Sequence, residues 1–106
     1  MVKLIVLFRD ADDVRHDYDE QYNNFLIQLD SLPGMRRKAV NTVYAGPGGF
    51  APFRAVVEVM FDSQADLQAA LTSDAGRQAG QTLLKFAGTD SITLFAEVLE
   101  ESYPPG

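Results

Sequence analysis

Arg54-Ala55-Val56-Val57-Glu58-Val59-Met60-Phe61-Asp62-Ser63-Gln64-Ala65-Asp66-Leu67-Gln68-Ala69-Ala70-Leu71 changes its hydrophobic period once, at Asp62. Up to Phe61 the period is two. Ala55, Val57, Val59 and Phe61 alternate with Arg54, Val56, Glu58 and Met60, as in a strand whose successive side chains point to opposite faces. Ser63, followed three residues later by Asp66, has the spacing of a capping box, and Leu67, Ala70 and Leu71 then recur at helical intervals. Ser73-Asp74 supplies a second cap, after which Ala75, Ala79, Leu83 and Phe86 continue the apolar face. Gly88-Thr89-Asp90 turns the chain into a last strand, Ile92 to Leu99.

The first half repeats this order. Val2 to Arg9 is a strand with Val2, Leu4, Val6 and Phe8 on one side and Lys3, Ile5, Leu7 and Arg9 on the other; both sides are mostly apolar, which predicts a central strand covered twice. Asp10 to Asp13 brings turn and N-cap carboxylates. Tyr18, Tyr22, Phe25, Leu26 and Leu29 then share one helical face, opposite Asp19, Gln21, Asn23 and Gln28, and Leu32-Pro33-Gly34 ends the helix. Met35 to Tyr44 reads as an edge strand, charged at its start, and Ala45 to Phe53 as a loop.

The duplicated strand-helix-strand order predicts an α+β domain, βαββαβ, with a four-stranded antiparallel sheet and both helices on one face. The expected domain is 1–100, with 101–106 an extended tail. The other face would carry Ile5, Leu7, Val56, Met60, Phe95 and Leu99, or their opposite-parity neighbours, and cannot be left in water. Burial against a second copy is the simplest cover, so a two-fold homodimer is expected.

Composition narrows the function classes. A net charge of −6, with nine scattered Lys and Arg residues, argues against nucleic acid, which needs clustered cations. Arg36-Arg37-Lys38 is the one basic cluster, and on a strand its members alternate faces, as at a solvated edge. With no cysteine, disulfides, thiolate catalysis and sulfur-bound zinc are excluded. No apolar run approaches the roughly 18 to 20 residues of a membrane span, and the start lacks a cleavage site with small residues, so the expectation is a cytoplasmic protein without membrane contact.

Gly46-Pro47-Gly48-Gly49 joins two strands and lacks the Gly-Lys-Ser/Thr ending of a phosphate loop, so it reads as a hairpin loop or a gate over a pocket. His16 is the sole histidine; it is a solvated residue at a helix start, a single general base or an axial haem ligand. Tyr18 and Tyr22, one turn apart, are either core aromatics or pocket residues offering phenol groups to a ligand, with Phe25 beside them. Arg54 and Glu58 read as sharing one face of an apolar strand, and Glu97 interrupts the last strand similarly. Charges there need a partner: an ion pair across strands or across the dimer, or a ligand. At roughly 13 Å apart along the strand, Arg54 and Glu58 cannot pair with each other. Asn41 is a further polar candidate on the second strand.

Phe61-Asp62-Ser63, the helix from Gln64 to Leu71, Ser73-Asp74-Ala75-Gly76-Arg77-Gln78 and Phe86-Ala87-Gly88 together resemble the second half of an EthD-type protein. The opening Val2 to Phe8 and the Leu32-Pro33-Gly34 helix end match too, and the resemblance runs to about Glu100. It implies the dimeric α+β barrel superfamily, in which two ferredoxin-like sheets close on each other and a small-molecule pocket lies between sheet and helices. Members include cofactor-free monooxygenases, polyketide-modifying and haem-degrading enzymes. The chain is also similar in length to the RedY-like branch associated with prodigiosin-type pyrrole pigments.

One departure bears on mechanism. EthD-type proteins commonly carry His-x-Pro on the first helix, about nine residues before the Pro-Gly ending, where this chain has Phe25-Leu26-Ile27-Gln28. The expectation is therefore a homodimer without a cofactor that binds a small apolar or aromatic molecule in natural-product or aromatic-compound metabolism. The pocket is expected between the first helix and the sheet, where Tyr18, Tyr22, Phe25, Asn41 and Arg54 would hold the ligand. Glu58, Glu97 or Tyr22 would replace the missing histidine in a proton transfer or cofactor-free oxidation. The alternative is a non-catalytic binding or sensing dimer.

Overall fold

The structure is a computed structural model that describes residues 1–11 and 15–105. β1, Val2–Arg9, occupies the sequence-predicted span. It is central: β3, Phe53–Phe61, runs antiparallel along one side with Val2 opposite Phe61, and β4, Ser91–Glu97, along the other with Val2 opposite Glu97. β2, Arg37–Thr42, pairs antiparallel with β3 and completes the order β2-β3-β1-β4. This is the ferredoxin-like α+β arrangement. β4 ends at Glu97, earlier than its apolar pattern, and just beyond it the Val98 N–H donates to the Met1 carbonyl.

Among the described residues three helices pack on one face, rather than the two expected. α1 is Tyr18–Leu29, and the second helical segment divides into α2, Gln64–Thr72, and α3, Asp74–Ala87. The division falls at Ser73, whose backbone is extended. Its hydroxyl accepts the Gly76 N–H at 3.1 Å and donates to the Ala70 carbonyl at 2.5 Å, closing one helix while opening the next. Ser63 caps α2 by accepting the Asp66 N–H at 3.1 Å. Of the expected Asp10–Asp13 cap, Asp12 and Asp13 lie outside the described residues; Asp17, which directly precedes α1, makes no side-chain cap bond.

The helix-covered face of the sheet presents Val2, Leu4, Val6 and Phe8 from β1 and Ala55, Val57, Val59 and Phe61 from β3, all buried. Phe8 is fully buried among Tyr22, Phe25 and Phe86, at ring-centroid distances of 5.1, 6.0 and 6.0 Å. The rings meet mostly edge to face, the favoured geometry for aromatic packing.

The molecule is 20 Å across its shortest axis, room for one sheet and one helix layer. The second face carries Ile5, Leu7, Val56 and Ile92, half-buried, and Leu94, which is 47% exposed. Met60 is buried at a corner of this face shared with Lys3, Arg37, Glu58 and the tail residues Val98, Glu100 and Glu101. Two expected members are absent from it. Phe95 stands opposite Leu4 and so points to the helix side, and Leu99 lies beyond β4, almost fully exposed.

Candidate functional site

Two clefts open on the helix side of the sheet. The apolar one, about 470 Å³, lies between α3 and the β1–β4 half of the sheet. Leu4 and Val6 form its floor, Phe25, Leu29 and Leu32 one wall, and Leu83 and Leu84 of α3 the other. Arg77, Gln81 and Thr93 are its polar lining residues. Two glycines shape it differently. A Cβ on Gly76 would fall 2.2 Å from the Ala70 carbonyl oxygen, so glycine is what allows α3 to start hard against α2. A Cβ on Gly80 would meet nothing within 4 Å, because that side of α3 faces the open cleft.

The second cleft, about 130 Å³, is lined by Tyr18, Asp19, Tyr22, Thr42, Arg54 and Ala55. Arg54 reaches it through a β-bulge. Phe8 pairs with Ala55 but Arg9 pairs with Phe53, leaving Arg54 as the extra residue. By strand alternation Arg54 belongs with Val56 and Glu58 on the open face. Instead its guanidinium sits 4.7 Å from the centre of the Tyr18 ring, on the helix side. The sequence reading that placed Arg54 and Glu58 on one face is thereby corrected: the extra residue shifts the parity locally.

Tyr18 and Tyr22 stack with centroids 6.3 Å apart and planes 12° from parallel. Burial pushes both phenols above the ordinary tyrosine value, and the nearby Arg54 charge works against that rise. Neither hydroxyl, nor the Arg54 guanidinium, hydrogen-bonds to another side chain or carbonyl among the described residues. Phe8, Phe25 and Phe86 stand between this cleft and the apolar one.

The structure gathers Tyr18, Tyr22 and Arg54, and puts Phe25 in the neighbouring apolar cleft. The other expected site residues lie elsewhere. Glu58 is on the open face, where the Lys3 ammonium approaches it at 3.3 Å, an ion pair across strands. Asn41 is exposed, and its amide donates to the Val56 carbonyl at 3.0 Å. Glu97 is exposed at the end of β4, opposite Val2, and His16 is exposed in the turn before α1. Sequence reasoning missed Gly80, Arg77, Gln81 and Thr93; the signal for the first was present in Gly76 to Gly80, where two glycines four residues apart leave one helix face without bulk. Among the described residues no group of three acidic or histidine side chains could hold a metal ion, and no helix is long and apolar enough to cross a membrane.

Fold and clefts together define the class: a ferredoxin-like α+β protein with space for a ligand between sheet and helices. No family model and no curated protein matches the chain. Solved structures do. An ethyl tert-butyl ether D (EthD) family protein from Bacillus halodurans C-125 is 31% identical, with 93% of this chain and 99% of that one covered and a TM-score of 0.85. The chain belongs to the EthD family. A dimeric ferredoxin-like protein of unknown function from Bacteroides fragilis is 24% identical over 92% of this chain and 95% of its own, with a TM-score of 0.68. SnoaB, a cofactor-independent oxygenase from Streptomyces nogalater, is 11% identical over 94% of each chain, with a TM-score of 0.66.

Proposed function

We propose that this protein is a homodimer that binds a small apolar or aromatic compound in the α3 cleft and serves natural-product or aromatic-compound metabolism. The carrying observation is the cleft itself. It has the size of a small-molecule site, an almost wholly apolar lining, and a glycine where a larger residue would fill it. Membership of the EthD family, with a cofactor-independent oxygenase among the structural neighbours, supports a role in small-molecule metabolism, for which we propose a pigment or polyketide-like substrate. The finer placement that we propose within the family is the RedY-like branch linked to prodigiosin-type pigments.

The lining contains no carboxylate, histidine or tyrosine, so its own contribution is to bind, orient and exclude water. That favours the binding reading. In the catalytic reading, a proton transfer or cofactor-free oxidation, Tyr22 is the expected acid/base residue that packs toward the cleft, against Phe8, which in turn packs on Phe25. Burial raises its phenol above the ordinary tyrosine value, so the group enters any reaction protonated, as a hydrogen-bond or proton donor rather than as a base. The homodimer would bury Ile5, Leu7, Val56, Ile92 and Leu94, as the dimeric relative supports.

A fluorescence titration with 1-aminoanthracene, a neutral aromatic probe, tests the cleft. Gly80→Leu should weaken binding ~10-fold or more by occupying the ligand's space, about 1.4 kcal/mol. Equal binding by wild type and variant would refute the assignment.

A further inference from the structure

We propose that the Arg54 cleft is a second binding site, separate from the α3 cleft, that takes the carboxylate of an aromatic acid whose ring lies against the β2–β3 loop. The bulge is the first argument. It falls at the end of the β1–β3 ladder and turns one guanidinium to the helix side; bulges are over-represented at such edges and next to active sites, where they re-aim a side chain. Arg36 and Lys38, by contrast, are held by Asp62 at 2.6 Å and Asp30 at 2.5 Å, whereas no carboxylate among the described residues pairs with Arg54.

The surrounding groups complete a carboxylate site. The planar guanidinium fork matches two carboxylate oxygens, and the Tyr18 ring below it holds the fork in place by cation–π contact. Tyr18, Tyr22 and Thr42 line the same space, and each carries a hydroxyl that can donate. Asp19 is the single acidic residue in the lining. It is exposed and forms no ion pair with Arg54, so it opposes the anion without filling its place.

The adjoining surface indicates the rest of the ligand. Thr42 and Arg54 also border a larger cleft of about 760 Å³ that runs beneath the β2–β3 loop and includes Tyr44, Phe50 and Pro52. Tyr44 is 99% exposed and Phe50 76%, two aromatic side chains free to close on a ring. Arg9 stands at its border over the Phe53 ring, at 5.9 Å, adding a second positive charge.

Isothermal titration of the full-length protein with 2-naphthoate and with uncharged 2-naphthalenemethanol tests the site. Wild type should bind the carboxylate ~10-fold or more tightly than the alcohol, and Arg54→Met should remove that preference, as expected for loss of a charge-assisted bidentate contact. Asp19→Asn should tighten naphthoate ~2-fold or more by removing the opposing charge. Tyr22→Phe, which keeps the packed ring, should weaken naphthoate several-fold while leaving the alcohol unchanged. Gly80→Leu should leave naphthoate unaffected, which separates this site from the α3 cleft. No preference for the carboxylate in wild type, a preference that survives Arg54→Met, or one lost in Gly80→Leu would each overturn the proposal.

Discussion

The two faces of β1 use nearly the same residue types and end in different states. Val2, Leu4, Val6 and Phe8 are buried beneath the helices, whereas Ile5 and Leu7, one position out of phase, stay half-exposed on the open side. Propensity does not separate them, since both sets are apolar and suited to a strand. What separates them is the cover: one face has a helix layer from its own chain, and the other has only a corner bordered by the tail. A strand apolar on both faces thus calls for a second layer, and the Lys3–Glu58 pair lies at the charged corner of that surface, beside Arg37.

Cutting into each face is the strongest way to break this contrast. Phe8→Ala should lower unfolding free energy by ~3–5 kcal/mol in denaturant titrations, because the rings of Tyr22, Phe25 and Phe86 would surround a void. Leu7→Ala, measured where the protein is monomeric, should cost under ~1.5 kcal/mol; an equal loss would show that the two faces are equivalent. Leu7→Glu should weaken self-association ~30-fold or more in sedimentation, about 2 kcal/mol, with the helical circular dichroism retained. A monomeric wild type at micromolar concentration would remove the dimer.

Smaller effects sharpen the covered side. Ser73→Ala should destabilise by ~1 kcal/mol, since it removes the bond that caps α3 and the one that closes α2. The two helix-side tyrosines give a pH signature. Their phenols are raised in the fold, so the folded state holds its protons more tightly than the unfolded chain. That stability is complete below the unfolded value near ~10 and is lost as pH rises through the folded values. Denaturant midpoints should therefore fall more steeply above this pH in wild type than in a Tyr18→Phe, Tyr22→Phe double variant; parallel curves would contradict the assigned burial.

Much of the fold was legible because it rests on local period. The span of β1, the apolar face of α1 and the caps at Ser63 and Ser73 follow from residues within a few positions of one another. The candidate sites were legible only in part. Tyr18, Tyr22 and Arg54 stood out as polar groups in apolar settings, yet the alternation that exposed Arg54 also assigned it to the wrong face. The α3 cleft left almost no mark, because a cavity is made by side chains that are small or missing, and Gly80 by itself does not announce what it leaves open.

The sequence by itself determined the order of elements, the doubly apolar central strand and the helix ends, since hydrophobic period and capping act over one or two turns. Only the tertiary structure decided which face Arg54 serves, that Phe95 points to the helices, and that Glu58 meets Lys3, 55 positions away. Those outcomes depend on register between distant strands. A one-residue bulge reverses the side a residue faces, and no local pattern records where that residue is inserted.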